Sequence, residues 1–408
     1  MGLQIKNLEI NNRISSFHTI RVEGVSFAMD SKVALIGVSQ TKYEADKSYQ
    51  TIIEMVYGVV REALEDAGVN REELDNIVTS CVDLWDGMTA SNAFLTDVVG
   101  AVMKRESRVA GDGLGAVFQG MMMILSNASD LTLVVSDCQG SMGDQLGISN
   151  WVFDPVYQQM LGLDFLSAGA LQANQYMSRF GIKQEDCAQV VVKNLRDALN
   201  NPFAQRTKET TVDEVMESPM WAFPIKEMDV APVSDGACAV ILASEEKAKT
   251  LSKKPIWILG AGSCVESHYL GHRDLSEGEA LVRASKQAYE MAGINDPLKE
   301  LDVAEISAAF SYQELLWSEL MGFCNRGEGA KILSDGLTSM GGVLPINPSG
   351  GMIAGNPYFV AGLTRLVEAT LQTRGEAGAR QVRGAKMALA HGTTGCCGQS
   401  QFVMIIRA

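Results

Sequence analysis

Residues 61–78 read REALEDAGVNREELDNIV, and residues 286–306 read KQAYEMAGINDPLKELDVAEI. Each begins as a helix and closes on Ala-Gly, at Ala67-Gly68 and Ala292-Gly293. Glycine lets a helix end in the left-handed conformation. Each then passes through an acidic turn into a strand entry. They look like one unit displaced by about 225 residues, and a repeat that long implies two copies of one domain packed together. Working outward, the first copy opens on VALIGV at Val33–Val38, a run suited to a strand buried on both faces. A helix follows at about residues 49–66, then the strand entry ELDNIVTS at Glu73–Ser80. The second copy repeats the order, with PIWILG at Pro255–Gly260, a helix over Glu277–Ala292 and LDVAEIS at Leu301–Ser307. Alternating helices and buried strands predict a layered α/β fold.

The chain has 408 residues, 46% hydrophobic and 20% charged, enough for two domains or one large double domain. No run of about 18 apolar residues occurs, so no membrane span is expected. The start, MGLQIKNLEINNRISSFH, is polar and mixed in charge, unlike a secretory signal. Eight cysteines without a CxxC pair read as reduced thiols of a cytoplasmic protein. A net charge of −15 argues against a nucleic-acid surface. The only histidines are His18, His268, His272 and His391, which limits acid–base and metal chemistry. His268 and His272 are four apart, but Gly271 between them disfavours a helical metal pair. They read as solvated loop residues, and no metal is expected in this chain. The methionines at Met121–Met123 read as core.

Two stretches carry a family resemblance. Arg374–Gly392 reads RGEAGARQVRGAKMALAHG, and Ser218–Ser244 reads SPMWAFPIKEMDVAPVSDGACAVILAS. Both resemble thiolases of the sterol-carrier type, which make and break carbon–carbon bonds beside a coenzyme A thioester. The resemblance implies the thiolase fold: two duplicated α/β domains in a five-layer sandwich with a loop-domain insertion. It implies an N-terminal half over 29–253, with a covering insertion at about 139–230, and a C-terminal half over 254–408. Residues 1–28 precede it as an extension. Met29 opens MDSKVALIGV, which looks like a natural thiolase start, so the extension is either an added arm or an over-called start.

The same resemblance locates four motif positions. The family's nucleophilic cysteine opens a helix after a strand, where N–H groups lower its pKa. The matching stretch here, RVAGDGLGAVFQGMMMILSNASDLTLVVSDC from Arg108, has no cysteine between Cys81 and Cys138. Asp112 is the only reactive side chain in that turn. It reads either as a helix cap or as a base beside the thioester. Cys81 lacks the small-residue helix start that a nucleophile needs. The second motif falls on Ser307-Ala308-Ala309-Phe310, where Ser307, Ser311 and Tyr312 could donate to the thioester. The third keeps its turn, Asn347-Pro348-Ser349-Gly350-Gly351, so Ser349 and Gly350 are binding candidates. Its histidine has become Asn356, with Tyr358 nearby. Asparagine can donate to an oxyanion but cannot take a proton at neutral pH. The fourth reads His391-Gly392-Thr393-Thr394-Gly395-Cys396-Cys397-Gly398. His391 is the candidate base, Gly395 a binding residue, and either Cys396 or Cys397 is expected to face the active cavity.

The resemblance therefore implies an acyl-CoA-binding enzyme subunit with coenzyme A as substrate. It would cleave or form a carbon–carbon bond in a 3-oxoacyl-CoA or 3-hydroxyacyl-CoA, by thiolysis or retro-aldol cleavage. Relatives of this kind pair with a DUF35 zinc-ribbon/OB-fold protein and serve acyl-CoA, aromatic or steroid degradation. A thiolase-type homodimer or heterodimer is implied as well. Two other readings stay open: a non-catalytic subunit of a heteromeric thiolase, and an acyl-CoA or lipid transfer module.

Overall fold

In the computed structural model the described residues are 32–86 and 91–408. The expected extension over 1–28 lies outside them. Strand β1 (Val33–Gln40) leads to helix α1 (Ile52–Ala67). The helix starts at Ile52 rather than near 49 because Thr51 caps it, in a box with Glu54. Gly68 closes it at φ 68°. Next come β2 (Asn76–Ser80), β3 (Arg105–Val109), α2 (Gly113–Leu125) and β4 (Leu131–Gln139). The covering segment holds α3 (Phe165–Phe180) and α4 (Gln184–Ala198). Strand β5 (Asp235–Ser244) completes the first half. The second half contains β6 (Ile256–Val265), α5 (Glu279–Ala292), β7 (Val303–Glu305), α6 (Ser311–Leu320), α7 (Ala361–Arg374), β8 (Met387–Thr394) and β9 (Ser400–Arg407).

The strands run β3-β2-β4-β5-β1-β6-β9-β8-β7 in a nine-stranded sheet. Within it the two halves meet where Ala34 pairs with Trp257 and Leu35 with Ile256. Ile346 bridges in parallel to Ala304 on β7, as β3 lies parallel to β2. The second half thus repeats the strand order of the first.

Helices α2 and α7 lie between the two half-sheets. Leu114 and Val117 of α2 and Leu363 and Val367 of α7 share one core with Val134, Val240, Ala390 and Met404. Helix α1 packs Val56, Val60 and Leu64 against Ile36, Ile77 and Leu133 on the outer face of the first half-sheet. Helix α5 packs Leu281, Ala284 and Ala288 against Leu389, Val403 and Ile405 on the other outer face. The result is five layers, helix–sheet–helix–sheet–helix. Both outer helices press onto glycine. A Cβ on Gly37 would lie 2.3 Å from the Ala63 carbonyl oxygen, and one on Gly262 would lie 1.9 Å from that of Ala284. The two copies thus share a packing device as well as a strand order. Among the described residues no helix is long and apolar enough to cross a membrane.

Candidate active site

A cavity of about 260 Å³ opens where the covering segment meets the ends of both halves. Val82 and Trp85 line it from the turn after β2, Cys138 from β4, and Gln145, Ser149, Val152 and Phe165 from the covering segment. Val233 and Ser234 enter just before β5. Asn356, Tyr358 and Phe359 come from the turn before α7, and Thr394, Gly395, Cys396 and Gln399 from the β8–β9 loop. Of the residues anticipated from sequence, Asn356, Tyr358, Gly395 and Cys396 meet on this wall.

The Asn356 backbone N–H donates to Ser234 Oγ at 2.8 Å, which fixes the loop. The buried Oδ1 finds no partner among the described residues, so the amide is not engaged in holding the fold together. The Tyr358 ring touches Trp85 and Phe359, with centroids 5.4 and 4.8 Å away. Burial pushes its hydroxyl pKa up, and the adjacent Gly395 amide opposes the shift. Tyr358 is therefore a proton-bearing donor at neutral pH. Burial, aided by Cys397, also raises the Cys396 thiol, against the pull of Arg273.

Of the adjacent cysteines, Cys396 takes the cavity side. Cys397, at φ 55°, turns the other way. Its Sγ donates to the Ala168 carbonyl at 3.2 Å, and burial pushes its thiol up to about 12. Arg273 donates to the carbonyls of Cys396 and Cys397 at 3.1 and 2.6 Å, pinning the loop from outside.

Asp112 is a cap shared by two helices. Oδ1 accepts from Leu114 N–H of α2 at 2.9 Å, and Oδ2 accepts from Gly362 N–H of α7 at 2.8 Å. Its own N–H donates to Thr394 Oγ1 at 2.8 Å. A Cβ on Gly362 or Gly392 would come 1.9 or 2.3 Å from Oδ1, so the carboxylate fits only because both are glycine. Burial pushes its carboxyl up to about 7, with the Leu114 and Gly362 N–H groups holding it back. It does not line the cavity, so the capping alternative describes its geometry.

His391 is fully buried on β8 and also off the cavity wall. Nδ1 accepts from Ser307 N–H at 3.2 Å, which leaves the proton on Nε2 to donate to Gln401 Oε1 at 2.7 Å. Burial lowers its pKa to about 4, so it stays neutral. Both imidazole nitrogens are thus engaged within the protein, behind the cavity wall rather than on it.

The other anticipated residues also lie away from the cavity wall. Ser307 Oγ donates to the His391 carbonyl at 2.8 Å. Tyr312 is buried, stacked on Phe310, and donates to Gln172 at 3.0 Å. Ser349 Oγ donates to Glu305 Oε2 at 2.7 Å and accepts from Arg365 Nη1 at 2.7 Å. Gly350, at φ 92°, packs against α4, where a Cβ would meet Ala198 at 2.6 Å. His268 and His272 are exposed on their loop. Among the described residues no three His, Cys, Asp or Glu side chains gather as metal ligands.

Sequence reasoning missed Trp85, Cys138, Ser234, Thr394 and Gln399. Ser234 and Thr394 lie within stretches already singled out. Trp85 reaches the wall from a distant turn, and nothing in its local sequence signals that.

Residues 261–408 match the family model described as Thiolase C-terminal domain-like. The chain is 32% identical over 379 residues to an acetyl-CoA acetyltransferase of Methanothermobacter thermautotrophicus, covering 90% of this chain and 97% of that protein. It is 36% identical over 233 residues to the benzoylsuccinyl-CoA thiolase subunit BbsB of Thauera aromatica, covering 56% of this chain and 60% of the relative. Among solved structures, the Ltp2-ChsH2(DUF35) aldolase superposes with a TM-score of 0.80 at 25% identity, over 92% of this chain and 98% of that one.

Proposed function

The chain belongs to the thiolase superfamily, and from that premise we propose that it makes or breaks a carbon–carbon bond beside a coenzyme A thioester without an acyl-enzyme at position 112. One observation carries this reading. The cavity wall gathers Asn356, Tyr358 and Gly395, whereas position 112 holds a carboxylate already engaged by two helix starts. Donors grouped on a partly enclosed wall are what a developing enolate oxygen needs. Burial keeps the Cys396 thiol protonated, so that cysteine does not stand ready as a thiolate nucleophile.

A retro-aldol cleavage of a 3-hydroxyacyl-CoA needs no nucleophile. The hydroxyl loses its proton, the C2–C3 bond breaks to a carbonyl product and a thioester enolate, and the enolate takes up a proton. Thiolysis of a 3-oxoacyl-CoA brings its own nucleophile, the sulfur of coenzyme A. In either case Asn356 and Tyr358 serve as donors to the same oxygen. Likeness to a DUF35-containing aldolase and to a thiolase subunit supports a zinc-ribbon/OB-fold partner; with it the chain would work as a thiolase-type dimer in cytoplasmic acyl-CoA degradation, as the family resemblance implies.

A second reading is the non-catalytic subunit. It is favoured by the placement of His391 and Asp112 off the cavity wall. Deuterium exchange separates the two. The chain with its partner, in heavy water, should exchange C2 hydrogens of a bound acyl-CoA while mass spectrometry finds no acyl group on residues 100–125. Binding without exchange selects the non-catalytic subunit. An acyl adduct on Cys138 or Cys396 would overturn the non-covalent mechanism.

A further inference from the structure

The cavity also restricts which acyl group it accepts. Trp85, Tyr358 and Phe359 form one continuous aromatic surface, with centroids 4.8 to 5.6 Å apart. Trp85 is only 7% exposed, although it stands on a turn. Phe165 and Val233 add apolar surface. Among the described lining residues none is Asp, Glu, Lys, Arg or His. Burial raises both the Tyr358 hydroxyl and the Cys396 thiol, so negative charge on this wall is disfavoured except where donors converge.

Volume narrows the choice. An apolar cavity of roughly 150 Å³ is enough to hold benzene. The 260 Å³ here therefore takes one aromatic ring and leaves space for a few more heavy atoms. Those atoms are the thioester carbonyl and the reacting carbons. A fused polycyclic skeleton would have to protrude past Val152, which lines the mouth and is 43% exposed.

From the aromatic surface, the lack of charged side chains among the described lining residues and the volume, we infer that the acyl group taken by this cavity is an uncharged, single-ring aryl acyl group, to the exclusion of chains ending in a carboxylate. The inference rests on the coenzyme A thioester reading above. An aryl ring extends the existing aromatic cluster edge-to-face or offset, a geometry that such rings favour. A terminal carboxylate would be stripped of water with no cation to meet it.

The test is calorimetric binding of acetyl-CoA, phenylacetyl-CoA and succinyl-CoA to the chain with its natural partner. Phenylacetyl-CoA should bind at least about tenfold tighter than acetyl-CoA, from burial of the ring. Succinyl-CoA should bind more weakly than acetyl-CoA. Equal affinities, or a preference for succinyl-CoA, overturn the inference and leave the thioester reading standing. If no thioester binds, the thioester reading falls and takes the inference with it. Val152→Lys adds a cation at the exposed mouth without touching the core. It should raise the affinity for succinyl-CoA relative to acetyl-CoA by about tenfold, the scale of one paired charge. An unchanged ratio would mean that missing charge is not what excludes carboxylates.

Discussion

Two glycine-rich segments reach the cavity, residues 347–358 and 391–399, and each has two ends with opposite jobs. At the first ends, Asn347, Ser349 and His391 are wholly buried and fully engaged. Asn347 accepts from Ile306 N–H at 2.7 Å and donates to Glu314 at 2.7 Å, Ser349 joins Glu305 to Arg365, and His391 joins Ser307 to Gln401. At the second ends, Asn356, Tyr358, Gly395 and Cys396 face the cavity. The residues that fit the thiolase pattern best, the Asn347–Gly351 turn and His391, are those that hold the sheet. Two positions that depart from it, Asn356 and Cys396, are on the cavity wall, while two others, Asp112 and Ser307, are built into the scaffold.

The sharpest break between the two ends should come from Arg365→Ala. Its Nη1 meets Glu305 Oε2 at 2.8 Å with both side chains buried. Removing one partner of such a pair leaves a buried unpaired charge and costs about 3–5 kcal/mol, read as loss of thermal and urea stability. At the cavity end, Asn356→Ala should lower turnover by about a hundred- to a thousandfold, the cost of one oxyanion donor, with an unchanged melting temperature. A rate drop that merely tracks a melting-temperature drop would erase the distinction between the ends.

His391→Ala should behave as a scaffold variant. Leaving the Ser307 N–H and Gln401 unpaired costs about 1–3 kcal/mol, while turnover per folded molecule changes less than about threefold, well below the loss expected of a general base. A loss of a hundredfold or more in the folded variant would return His391 to the mechanism.

Smaller in size is a pH effect on stability. His391 has a folded pKa of about 4, below its ordinary 6.5, so its contribution is full above 6.5 and is lost as pH falls toward 4. Asp112 runs the other way. Its folded pKa of about 7 lies above 3.8, so its contribution is full below 3.8 and is lost as pH rises through 7. The two oppose each other between about 4 and 6.5. Asp112→Asn removes one side, so the variant should lose stability relative to wild type as pH falls from 7 toward 4. The slope is at most about 1.4 kcal/mol per pH unit, measured by urea unfolding across that range. A parallel pair of curves would show that Asp112 does not titrate there. The smallest effect is expected from Cys396→Ala, whose parent thiol is held protonated. Turnover should change by less than about tenfold, below the hundredfold scale of an essential proton-transfer group, and a larger loss would make Cys396 an essential group.

The sequence by itself determined the duplication. The paired helix–glycine–strand units at 61–78 and 286–306 encode their own periodicity and stops, because helix caps and buried strands are local properties of the chain. It also determined that no cysteine stands at the start of α2, and it pointed to one of two neighbouring cysteines on the β8–β9 loop, although Cys138 lines the cavity as well. Which cysteine, the left-handed φ of Cys397 decided. That His391 turns into the sheet, and that Asp112 caps two helices at once, depended on Ser307, Gln401 and Gly362, residues far away in the chain or invisible as partners within it. Trp85 joined the site only when the turn after β2 was brought against Tyr358. Side-chain direction at these positions follows from packing between the two halves, and no local pattern records what the other half will present.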